Sequence, residues 1–262
     1  MNRSKRTQQT SISIAVAMLV FIFPPNAFAK SEIKEELHKS FNLHSDGRVT
    51  LENVNGNVHI ETWDRAEVKV DAVKSGKEQE EMDAVSIDIK SEEDRIQIKT
   101  KYPQEHGRGK KRGDSVRVDY HLTVPRNAVL KQISAVNGDL EIEGVGGEIT
   151  ASTVNGKLTA KSLRNAANLS SVNGPIAAEF VELKKSDHVS LETVNGKLSL
   201  SLPDKANADI AATSVNGSIT SEQDIAEKKH FPVGRELKGR IGDGGAQIKL
   251  SSVNGGIKIM RN

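Results

Sequence analysis

The tripeptide Val-Asn-Gly occurs seven times, with its Asn at positions 55, 137, 155, 173, 195, 216 and 254. The intervals are 82, 18, 18, 22, 21 and 38 residues, so the two long gaps stand near multiples of the shorter ones. A chain with such a period stacks small units, each of which buries its apolar face only against its neighbours. The long gaps are expected to hold units whose tripeptide has drifted or which carry insertions. About ten units of 18–22 residues would then fill the chain.

Aligned on the Asn, the third residue after it is Val58, Leu140, Leu158, Ile176, Leu198, Ile219 or Ile257. The fourth before it is Leu51, Ile133, Ala151, Leu169, Leu191, Ala212 or Leu250, and the sixth before it is aliphatic except at Lys131. Polar residues fill most positions between. Apolar residues at every second position on both sides of Asn-Gly indicate two half-buried strands flanking a corner. Asn-Gly between strands usually marks a two-residue hairpin. In a hairpin the residues before Asn and after Gly would share a face. Here the first is always Val, whereas the second is Asn57, Asp139, Lys157, Pro175, Lys197, Ser218 or Gly256. This mismatch points to a solenoid corner with Val turned inward and a glycine at positive φ.

The corner residues are the pairs Asn55-Gly56, Asn137-Gly138, Asn155-Gly156, Asn173-Gly174, Asn195-Gly196, Asn216-Gly217 and Asn254-Gly255. Their amides are expected to stack as a hydrogen-bonded ladder, as are the small hydroxyl residues two and three positions earlier. A calcium row is the functional alternative, but calcium needs several carboxylates per site. The expected architecture is all-β: a single, right-handed parallel β-solenoid.

These Val-Asn-Gly units, the segment Asn-Gly-Asn-Val-His-Ile-Glu-Thr-Trp-Asp-Arg at 55–65 and Val-Asp-Tyr-His-Leu-Thr-Val-Pro at 118–125 resemble bacterial putative-adhesin proteins. Gly242-Asp243-Gly244-Gly245 ahead of the last unit is similar too. The resemblance spans roughly residues 45–262 and implies a parallel β-solenoid in the cell envelope, with no assigned activity.

Residues 1–29 read as a secretory signal: Arg3, Lys5 and Arg6, an apolar run over 14–23, Pro24-Pro25, and Ala27-Phe28-Ala29 before Lys30. The run is too short to span a bilayer, which takes about 20 residues. No transmembrane segment is expected after cleavage. Residues 30–45, with Ile33, Leu37 and Phe41 four apart, suggest a short helix or loop capping the first unit of a 46–262 solenoid. Inserted loops are expected near 103–115 and 223–245.

Beyond residue 29 the chain carries 34 basic and 35 acidic side chains, which argues against general nucleic-acid binding. Cysteine is absent, so there are no disulfides or thiolate metal sites. The His residues (38, 44, 59, 106, 121, 188 and 230) never fall at a metal-binding sequence spacing, and neither a cofactor nor a metal is expected. Arg108, Lys110, Lys111 and Arg112 between glycines form a candidate anion-binding loop. Gly239 to Gly245 lacks the Lys-Ser/Thr of a phosphate loop. Glu141, Glu143 and Glu192 are scattered among Lys157, Lys161 and Lys197, unlike the paired carboxylates of a carbohydrate-active enzyme. The expected role is a non-catalytic envelope or surface module facing a glycan or an envelope protein. The alternatives are a carbohydrate-active β-helix enzyme and an envelope-signalling partner.

Overall fold

The computed structural model describes residues 32–103, 115–223, 225, 227–229 and 234–262. The expected signal segment and the basic loop with Arg108, Lys110, Lys111 and Arg112 lie outside the described residues. The order begins β1 (Ile33–Asn42), β2 (Arg48–Asn55), β3 (Val58–Trp63), β4 (Glu67–Gly76), α1 (Gln79–Ala84), β5 (Ser86–Glu92), β6 (Arg95–Lys101) and β7 (Arg117–Pro125). It continues with β8 (Val129–Asn137), β9 (Leu140–Glu143), β10 (Ile149–Asn155), β11 (Leu158–Leu163), β12 (Ala167–Asn173), β13 (Ile176–Phe180), β14 (His188–Asn195) and β15 (Leu198–Leu202). The last are β16 (Ala208–Ser214), β17 (Ile219–Ser221), β18 (Glu227–Lys229), β19 (Arg235–Ile241), β20 (Ala246–Asn254) and β21 (Ile257–Arg261).

These strands make two sheets, ordered β1-β4-β7-β3-β9-β11-β13-β15-β21-β17 and β18-β19-β16-β20-β14-β12-β10-β8-β2-β6-β5. Each sheet contains a parallel run of eight strands, β7 to β17 in one and β16 to β6 in the other. One strand from each run, the two consecutive in chain order, makes a rung; β6 and β7 are counted as one across residues 104–114. The runs therefore hold eight rungs, where about ten were expected from the repeat arithmetic.

The missing units explain the two long gaps. Between Asn55 and Asn137 the chain builds one extra rung (β6 and β7) on the outer side of β2 and β3, and adds antiparallel cover. That cover is β4 on β7 and β5 on β6, and β1, which precedes Asn55 in the chain, pairs in turn with β4. Between Asn216 and Asn254 it makes β18 and β19, with β19 antiparallel to β16. The segment 223–245 is thus partly strand, not simply an inserted loop. The chain then returns to insert its last rung, β20 and β21, between the rungs of β14/β15 and β16/β17. Sequence order and stacking order part company at both ends.

The cap segment is also corrected. Residues 33–42 form β1, not a helix or loop, because a spacing of four is even and serves a period of two as well as a helical turn. Ile33, Leu37 and Phe41 are half-buried against the core on one face of that strand.

The aliphatic positions before and after the corners fill one core between the sheets. Leu51, Ile133, Leu169, Leu191 and Leu250 come from one side, and Ile60, Ile142, Leu200 and Ile259 from the other. Lys131, the exception in the alignment, marks a β-bulge: Ile149 pairs with Leu130 and Ala151 with Ile133. Lys131 and Gln132 both face solvent while Leu130 takes the core position.

Candidate binding surfaces

The Asn-Gly corners stack along one edge where the two sheets meet. Asn55, Asn137, Asn155, Asn173, Asn195 and Asn254 pair in register across neighbouring strands. Each Nδ2 donates to the Oδ1 of the next Asn in one direction. The series runs from Asn216 through Asn254, Asn195, Asn173, Asn155 and Asn137 to Asn55, at 2.8–2.9 Å per bond. Asn254, last in sequence, is interior to this row.

The corner glycines owe their place to proximity. Only Gly56 has a positive φ, +124°; Gly138, Gly156, Gly174, Gly196, Gly217 and Gly255 do not, contrary to expectation. A Cβ on any of these six would fall on the carbonyl oxygen of the glycine one rung away. Rungs spaced at about 4.8 Å leave no room for it.

The valines were expected to point inward and instead face out. Val136, Val154, Val172, Val194, Val253 and Val215 are between 36% and 46% exposed, one beside each stacked Asn except Asn55. The inward position is the residue before each Val, and Thr153, Ser171, Thr193, Ser214 and Ser252 are buried there. Glycine carbonyls turn into the core at the pinched corner and need donors. Thr153 Oγ1 donates to Gly138 O and Thr193 Oγ1 to Gly174 O, both at 3.1 Å. Ser214 and Ser252 do the same to Gly255 O and Gly196 O. These hydroxyls bond the backbone of the neighbouring rung, where a hydroxyl-to-hydroxyl ladder was expected. Because Asn57, Asp139, Lys157, Pro175, Lys197 and Ser218 also face out, facing alone does not exclude a hairpin. The parallel pairing does.

Beyond Asn55 the edge is closed differently. Asn53 holds the inward position, donating to Val118 O at 2.8 Å and accepting from Thr100 Oγ1 at 2.9 Å. Thr100 in turn lies 2.7 Å from the Tyr120 hydroxyl. Burial pushes the phenols of Tyr102 and Tyr120 up to about 12.

A second constellation lies on the outer face of the ten-stranded sheet. In-register pairing of β3 with β7 and β9 sets His59 between His121 and Glu141. The His59 and His121 rings meet edge-to-face with centroids 4.8 Å apart. His121 Nε2 lies 3.0 Å from Glu61 Oε1, and His59 Nδ1 lies 3.4 Å from Glu141 Oε2. One ligating atom each from His59, Glu61 and His121 fit within 4.8 Å of one another. Next along the row, Asp71 sits 2.7 Å from His38 Nδ1 and 2.6 Å from Lys69. Hydrogen bonds donated to Asp71 and then to Glu36 hold the His38 imidazolium above its ordinary pKa. The residues 59 and 121 stand 62 apart in sequence, so no local spacing reveals them. Their shared register in parallel strands would.

The other sequence candidates are dispersed. Glu192 pairs with Lys249 at 2.7 Å, a hydrogen bond that lowers its pKa, and stands on the other sheet from Glu141, which lies 3.5 Å from Lys161. Residues 242–245 form the turn from β19 to β20, where Asp243 N and Gly245 N donate to Asn207 and Asp209. A hollow of about 620 Å³ near the start of β14, β16 and β20 is lined by Val189, Ser190, Asp209, Ile210, Lys238 and Lys249.

Residues 49–260 match the family described as Toastrack DUF4097. The chain belongs to this family. The matched range runs from β2 to β21, so the Toastrack region contains all eight rungs and the whole asparagine row. No curated protein matches the chain. It is similar to the solved structure of a "putative cell adhesion protein" from Clostridium sporogenes, at 12% identity and a TM-score of 0.49, over 88% of this chain and 100% of that one. It is similar also to a "putative adhesin" from Bacteroides fragilis, at 13% identity and 0.27, over 87% and 97%. A third structure is a "putative lipid binding protein" from Parabacteroides distasonis, at 11% and 0.27, over 86% and 96%. Among the described residues, no helix of this Toastrack chain is long and apolar enough to cross a membrane.

Proposed function

We propose that the protein is an exported, non-catalytic, adhesin-like module of the cell envelope, which holds a glycan or an envelope protein along its Val-Asn edge. The observation that carries this reading is the uninterrupted row of six exposed valines beside the amide row. Single exposed aliphatics need no explanation, but a contiguous row of them does. Each rung presents the same pair, a branched methyl surface and a carboxamide with donor and acceptor capacity left over from the row. Repetition at the strand spacing of about 4.8 Å suits an extended or polymeric partner better than a compact small molecule.

Export rests on the tripartite segment 1–29, whose removal would leave a chain starting at Lys30 without a transmembrane segment. In this reading residues 30–45 cover one end and residues 46–262 wind as a single, right-handed solenoid. The loop with Arg108, Lys110, Lys111 and Arg112 adds an anion-seeking patch, and nucleic acid is not a partner.

The test is a glycan array probed beside pull-downs from the cell's own envelope, with wild type and the triple variant Val154→Ser, Val172→Ser, Val194→Ser. The expected result is retention on one defined partner, weakened at least about tenfold in a variant that melts normally; each tenfold is about 1.4 kcal/mol. Equal retention by the variant overturns the Val-Asn edge as the binding face. Shortened glycan released from the array would favour a carbohydrate-active enzyme. An intact N-terminus embedded in the membrane would overturn the cleaved signal.

A further inference from the structure

We propose that His59, His121 and Glu61 form a surface site for one divalent transition-metal ion, with Glu141 as its positioning carboxylate. Two imidazoles and one carboxylate suit zinc, copper(II) or nickel(II), whereas calcium and magnesium take oxygen ligands. The fold brings the set together through register: His59 and His121 stand opposite each other on adjacent parallel strands, and Glu61 projects from the same face two residues on.

The distances fit such an ion. His121 Nε2 and Glu61 Oε1 are 3.0 Å apart, close to the separation of about 3.3 Å between two ligands at 2.0–2.1 Å from a tetrahedral zinc. One ring nitrogen of His59 lies within 4.8 Å of both, and small rotations of these partly exposed side chains close that span.

The supporting contacts are already made. His59 Nδ1 faces Glu141 Oε2 at 3.4 Å, which leaves Nε2 to bind the ion. Glu141 is held from its other oxygen by Lys161 at 3.5 Å, and Thr123 Oγ1 donates to Glu61 Oε1 at 3.3 Å. A carboxylate on the far nitrogen of a ligating histidine fixes its tautomer and raises its basicity. Asp71, the next acid along the row, is engaged by His38 and Lys69 and stands outside the set. The cluster is open to solvent on its outer side, with His59 and His121 side chains 35% and 48% exposed. The remaining coordination positions are therefore free for water or for a donor group on a partner.

The experiment is calorimetric titration of the untagged, purified protein with zinc, copper(II) and nickel(II) salts, each alone. One ion per chain is expected, with affinity reduced at least about 100-fold by His59→Ala or His121→Ala and about tenfold by Glu141→Gln. His44→Ala and His188→Ala should leave it unchanged. Imidazole NMR of the wild type keeps the proposal falsifiable if a variant misfolds. Of the seven histidines, zinc should shift only His59 and His121 strongly, with His59 bound through Nε2. No stoichiometric binding up to millimolar metal, binding unaffected by the two His variants, or shifts centred on other histidines would each overturn the site.

Discussion

Between Asn137 and Asn195 the chain lays down its rungs in sequence order, each parallel to the last and each closed by the same three residues. Toward both ends it abandons that rule. It reverses β4 and β5 over the rung of β6 and β7, reverses β19 over β16, and pushes its final rung back between two earlier ones. The middle can repeat because every strand has a partner on each side. An end rung has only one, and an exposed row of backbone donors and acceptors invites pairing with another chain. Antiparallel strands cover the edges of β6, β7 and β16, while β17 stays at the edge of its sheet. The outermost strand beyond β7, β1, carries the charges of Lys34 to Lys39. The repeat therefore specifies how to continue but not how to stop.

The sharpest way to break this contrast is at the corner glycines. Gly174→Ala puts a methyl group onto the carbonyl of Gly156 in the middle of the stack. Neither rung can yield without parting its neighbours, so a loss of about 3 kcal/mol in denaturant melts is expected. At Gly256, one residue past a corner, a new Cβ would meet Ser218 O at 3.3 Å and nothing nearer. Gly256→Ala should cost less than about 1 kcal/mol. Equal losses at the two positions would mean that conformational freedom, not stacking distance, selects glycine.

The asparagine row tests the stacking order. Asn173→Ala removes the donor to Asn155 and the acceptor of Asn195, at an expected cost of about 0.5–1.5 kcal/mol because the freed amides can turn to water. Asn254→Ala should match it, because Asn254 also bonds two neighbours, Asn195 and Asn216. Asn216→Ala, at the end of the row, should cost less. If Asn254 behaved like Asn216, the last rung would lie outside the stack, as sequence order alone would place it.

At the other end, both tyrosines of the chain sit by the rung of β6 and β7. Burial raises Tyr102 and Tyr120 to about 12 in the folded protein, against about 10 in an unfolded chain. The folded state thus disfavours phenolate. The stability linked to these groups is fully present below pH 10 and is lost as the pH climbs toward 12. Phenolate absorbance should stay flat at pH 10 in native protein and rise there in denaturant. A native titration near 10 would show that this end is open to water.

The regular middle was legible because its signals are local. Period two on both sides of Asn-Gly, and the aliphatics at fixed offsets such as Ile133 and Leu140, define two strands and a corner without reference to anything distant. Hydrophobicity alone points Val inward; the carbonyls of the corner glycines, which demand Thr153 or Ser252 inside, leave no mark in an apolar pattern. The ends escape the pattern because the interval between two corners carries no information on strand direction. β1 shares its four-residue spacing with a helix, and nothing in 223–245 announces that the chain will return into the stack. The histidine cluster was hidden for a related reason: register between strands 62 residues apart in sequence is a property of the fold.

The smallest expected effect decides the facing. Val172 is 42% exposed whereas Ser171, beside it, is buried with no partner for its hydroxyl. Val172→Ser removes a methyl surface that already meets water, so its cost should stay within about 0.5 kcal/mol. Ser171→Val fills a close-packed inward site with a larger side chain and should cost about 1–3 kcal/mol. Ser171→Ala removes an unpaired buried hydroxyl and should be neutral or slightly stabilising. The reverse order, with the valine change the costly one, would turn the strand over. The row proposed for partner binding would then belong to the core, and that binding face would have to be sought elsewhere on the two sheets.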